Sequence, residues 1–71
     1  MRVRVDTPEL LDDLLAFLAA SPNTVVEQVS EEELEVSLLG SYREDAMRME
    51  LYLRLRAWEK RASGARVEIV D

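Results

Sequence analysis

A chain of 71 residues can bury one core, and domains of this size seldom draw more than about 3 to 5 kcal/mol from it. With Cys 0 and His 0, disulfides, thiolate or imidazole metal sites and cysteine or histidine catalysis are excluded, which leaves close packing or oligomerisation as the source of extra stability. The formal net charge of -6 repels polyanions and sets the chain against nucleic-acid and anionic-membrane binding.

Met1 to Val5 alternates Val3 and Val5 with Arg2 and Arg4, the period-two pattern of a strand with one buried and one wet face. Asp6-Thr7-Pro8-Glu9 then predicts a helix start, with Asp6 or Thr7 as N-cap and proline set for the first turn. This helix should run to about Ala20, gathering Leu10, Leu11, Leu14, Leu15, Phe17 and Leu18 in one wide stripe. Ser21-Pro22-Asn23 breaks it, and the β-branched run Thr24 to Val29 reads as a second strand. Val25 and Val29 share a face with Glu27, which suits an edge position where side chains reach water. A charged connection, Glu31-Glu32-Glu33, leads into a third strand in which Leu34, Val36 and Leu38 alternate with Glu35 and Ser37, so the pair reads as a hairpin. After Gly40, Ser41-Tyr42-Arg43-Glu44 matches a capping box and opens a long helix to about Ala62. Ser63-Gly64 stops it, and Arg66 to Val70, with Val67 and Ile69 on one face, completes a fourth strand.

The order strand-helix-strand-strand-helix-strand predicts an α+β fold of ferredoxin-like type: a βαββαβ two-layer sandwich with a four-stranded antiparallel sheet and both helices on one face. Residues 1–71 form one domain without linker or repeat. The helix-free face should carry Arg2, Arg4, Glu35, Ser37, Arg66 and Glu68, whose opposite charges can pair across strands. No apolar run is long enough to span a bilayer and the N-terminus lacks a signal-peptide core, so a cytoplasmic protein with no membrane partner is expected.

The long helix carries two apolar stripes. Met47, Leu51, Leu55, Trp58 and Ala62 cluster on one side, and Tyr42, Ala46, Met49, Leu53 and Ala57 roughly opposite. A helix on a sheet needs only one. Either the bulky stripe meets the sheet and the smaller one packs on the first helix, or one stripe, in first place the smaller, stays exposed and is covered by a second copy, as a homodimer, or by another protein. The sequence leaves open which stripe faces the sheet. Glu27, Glu31, Glu32, Glu33 and Glu35 lack the spacing of a cation loop and read as a solvated hairpin. Arg54, Arg56, Lys60 and Arg61 project to both flanks of the helix and complement its dipole. There is no nucleophile with a base and no glycine-rich phosphate loop, so no enzyme activity and no cofactor or metal is expected.

Val5-Asp6-Thr7-Pro8-Glu9-Leu10-Leu11 resembles the strand-to-helix junction of ACT domains: aspartate, any residue, proline, glycine, then a leucine-rich helix. Glu9 takes the place of the glycine. The resemblance implies a regulatory domain that binds an amino acid or similar small metabolite at Asp6, Thr7 and Pro8. Three functional expectations follow in order: a non-enzymatic self-associating or protein-interaction module using the long helix, an ACT-like small-ligand sensor, and last a nucleic-acid binder.

Overall fold

The alternation read from the sequence is spent on a single sheet. The computed structural model describes residues 1–40, 43–62 and 64–70. Its elements are β1 (Arg2–Val5), a 3-10 turn at Pro8–Leu10, α1 (Leu11–Ala19), β2 (Thr24–Gln28), β3 (Glu33–Leu38), α2 (Glu44–Arg61) and β4 (Val67–Ile69). The strands pair antiparallel in the order β2-β3-β1-β4, so the fold is the expected ferredoxin-like α+β sandwich.

The register puts Val3 opposite Leu34 and Ile69, and Val5 opposite Val67. These side chains join Val36, Leu38 and the buried faces of both helices in one core. On the other face Arg2 lies opposite Glu35 and Arg4 opposite Glu33, and both pairs close, at 3.4 and 3.0 Å. Such pairs add little energy; the register is fixed by the buried valines, which a one-residue slip would turn outward. The Met1 ammonium adds bonds to Glu35 Oε2 at 2.8 Å and to the Val36 carbonyl at 2.7 Å. Glu33 belongs to β3 and not to the connection where the sequence places it. β2 is an edge strand, and Val25 points from it into solvent.

Both helix starts differ from expectation. Thr7 is the cap residue before the 3-10 turn, yet its side chain makes no capping bond. Its Oγ1 donates instead to Asp6 Oδ1 at 2.9 Å. The same Asp6 oxygen accepts the Arg66 backbone N–H at 2.9 Å, and the Asp6 N–H donates to the Arg66 carbonyl at 2.9 Å. Asp6 thus adds a rung to the β1–β4 ladder, and its carboxylate is not left to cap the helix. α2 begins at Glu44 with Arg43 as its cap and no side-chain capping bond. Glu44 is therefore in the first helical position, two residues short of the third position that the capping box needs; Ser41 lies outside the described residues. Glu44 and Asp45 still face the positive end of the dipole.

The turns use the residues that their backbones require. Asn23, at φ 61, takes the left-handed conformation between α1 and β2, and Gly64, at φ 92, does so between α2 and β4.

Candidate functional site

Helix α2 has three kinds of surface, and 3.6 residues per turn assign each side chain to one of them. The inward stripe is the bulky one: Leu51, Leu55 and Trp58 are buried, with Met47 and Ala62 packed against the core. Trp58 is 0 % exposed, and its indole N–H reaches Asp13 Oδ2 on α1 at 2.8 Å. That bond satisfies the ring's one polar group where the two helices meet.

One flank is tied to α1 and β2. Arg54 pairs with Glu50 Oε1 at 3.2 Å and donates to Thr24 Oγ1 at 2.9 Å. The Arg61 guanidinium lies 5.2 Å from the centre of the Phe17 ring. The other flank faces β4. Glu59 Oε2 accepts the Val67 backbone N–H at 2.7 Å, and its second oxygen accepts from Arg56, whose guanidinium lies 4.8 Å over the Tyr52 ring. Desolvation raises the Glu59 carboxyl, but the Val67 and Arg56 hydrogen bonds outweigh it and leave its pKa below the usual carboxylate value. Three of the four cations of the basic run are therefore engaged within the fold.

The outward surface is the second stripe. Ala46, Met49, Leu53 and Ala57 are exposed, Met49 at 58 % and Leu53 at 56 %. The stripe does not pack on α1. Tyr42, assigned to it from the sequence, lies outside the described residues. Tyr52, 43 % exposed, extends the arc toward β4 and was missed by the two-stripe reading, because it falls on the boundary between α2's wet face and its flank. Its spacing of three from Met49 is the signal that could have found it. Beyond Tyr52 the surface dips into a groove of about 470 Å³ between α2 and the edge strand β4. Met49, Tyr52, Leu55, Val67 and Ile69 line it, and Arg48 and Arg56 stand at its rim.

Charge runs along this face with a direction. Asp45 stands near its N-terminal end and Lys60 near its C-terminal end, both exposed, with the apolar residues between them. Asp45 pairs with Arg43 at 3.8 Å, both side chains being almost fully in water, and its Oδ1 accepts the Ala46 backbone N–H at 3.0 Å.

Asp6, Thr7 and Pro8 sit together at the end of β1, but they do not line one hollow. Asp6 borders a charged depression with Arg4, Arg66 and Glu68. Pro8 borders another, beside Glu9, Asp12 and Glu31. The Arg66 N–H and then the Thr7 hydroxyl hold the Asp6 carboxyl below its usual pKa. Among the described residues, no aromatic side chain lies on the open sheet face, and no three acidic side chains gather as a metal site would require.

Comparison with known proteins adds no assignment: the chain matches no family model, and no curated protein or solved structure matches it significantly.

Proposed function

We propose that this chain is a non-enzymatic module that associates with a second copy of itself through the outward face of α2. The observation that carries the reading is the exposure of Met49, Tyr52 and Leu53 on one side of a single helix. Apolar side chains grouped in this way gain by being covered, at roughly 25 cal/mol for each Å² removed from water. Electrostatics favours this face over the others. Along α2, Arg48, Arg54, Arg56, Lys60 and Arg61 offset Glu44, Asp45, Glu50 and Glu59, whereas the β2–β3 hairpin, with Glu27, Glu31, Glu32 and Glu33, would repel a like-charged copy.

The sensor reading has less support. Both donors on Asp6 Oδ1 come from the protein itself, and the hollow beside Pro8 is ringed by Glu9, Asp12 and Glu31, which would oppose the carboxylate of an amino acid. Nucleic-acid binding is disfavoured by an open sheet face that carries no stacking platform among the described residues, and by a basic run largely engaged with internal partners.

Sedimentation equilibrium at micromolar concentration tests the proposal. The wild-type mass should be twice that of the chain, and Leu53→Asp should return it to a single chain with an unchanged circular dichroism spectrum. A wild-type protein that stays monomeric at the highest concentration reached would overturn it.

A further inference from the structure

Resting on the self-association reading, we infer that the two copies meet with their α2 helices antiparallel. They cross between Tyr52 and Leu53, so that Asp45 of each copy meets Lys60 of the other.

The exposed face itself sets this geometry. Its acid lies at one end and its unspent cation at the other. Arg56 is engaged by Glu59 and Tyr52, and Arg61 by Phe17, while Lys60 makes no ion pair among the described residues. Asp45 and Lys60 are about 22 Å apart along the axis at 1.5 Å per residue. The point midway between them falls between Tyr52 and Leu53, in the most apolar part of the face. A two-fold axis through that point therefore satisfies two requirements at once. It lays the apolar middle on itself, and it sets both acids against both cations at the rim.

A parallel arrangement meets only the first requirement. It would place Asp45 against Asp45 and Lys60 against Lys60, and align the two helix dipoles as well. Ala46 and Ala57, exposed on either side of the apolar middle, leave room for interaxial distances of about 8 to 10 Å. The contact is isologous, so it closes at two copies and does not propagate into a fibre. The partner helix also lies alongside Met49 and Tyr52, which wall the groove beside β4.

Charge reversal tests the orientation. Asp45→Lys and Lys60→Asp should each weaken the dimer about tenfold, because two symmetry-related attractions become repulsions, and the double variant should recover most of the loss. In parallel helices neither single change would matter, since each replaces one like-charge contact by another.

The reversals also oppose the helix dipole and could unsettle α2, so a second measurement is independent of them. The chain has no cysteine, and single thiols can be placed at will. When Ala46→Cys chains are mixed with Ala57→Cys chains and treated with a short thiol cross-linker, the mixed product should dominate. Predominant cross-linking of each variant to itself would overturn the antiparallel geometry and leave the dimer standing. A wild-type monomer would instead remove the association reading.

Discussion

Trp58 and Glu59 are neighbours in sequence that tie α2 to opposite sides of the molecule, one through its indole to Asp13 on α1 and the other through its carboxylate to the backbone of β4. Trp58→Phe removes the N–H bond and also part of a fully buried ring, so urea denaturation should show a loss of about 2 to 3 kcal/mol. Glu59→Ala takes the acceptor from the N–H of Val67, the buried residue of β4, and the expected cost is about 1 to 3 kcal/mol. Asp6, Glu35 and Glu59 all have depressed pKa values. Asp6 is lowered chiefly by the Arg66 N–H, Glu35 by the Met1 ammonium, and Glu59, against desolvation, by the Val67 N–H and Arg56. A carboxylate lowered on folding stabilises the fold above its unfolded pKa, and that contribution is lost as pH falls through the folded value. Stability should therefore hold near neutrality and decline as pH drops below about 4, the unfolded carboxylate range. Denaturation midpoints against pH check this, and Glu59→Gln should flatten the decline.

On the scale of the element, α2 shows what periodicity can and cannot convey. Leu51 and Leu53 are two residues apart and chemically identical, but Leu51 is fully buried and Leu53 mostly in water. Leu51→Ala should cost about 2 to 5 kcal/mol, enough to unfold much of a domain this small. Leu53→Ala, measured on the dissociated chain, should stay within about 0.5 kcal/mol while weakening the dimer. Equal losses at the two positions would mean that the outward stripe is covered within one chain. The two stripes were legible at a spacing of three and four residues, as were the valines of β1, the leucines of β3 and the exposed edge of β2. The roles of Asp6 and Glu59 were not, because their partners, Arg66 and Val67, are backbone donors that only the close approach of β4 to β1 and α2 brings within reach. The start of α2 was misplaced for a related reason: a capping box is a local pattern, and here the chain enters the helix at Arg43 without it.

For the whole molecule, assembly and stability become a single equilibrium. A sheet of four short strands under two helices, with neither disulfide nor metal-binding histidine to close it, has little to spare, so burying the α2 face in a dimer adds directly to the folded state. The melting temperature should rise with protein concentration and become independent of it in Leu53→Asp. A scan from 1 to 100 µM, spanning roughly the range over which mass action shifts such equilibria, reads this directly. A flat wild-type profile would separate folding from association.

The order and type of the elements, the edge position of β2 and the presence of two α2 stripes follow from sequence, because alternation and helical period are properties of consecutive residues. That the bulky stripe is the inward one was decided by the fold. Which polar groups close the fold, and that α1 leaves the second stripe uncovered, depended on tertiary structure. Those outcomes rest on distances between residues far apart in the chain, and no local pattern encodes them.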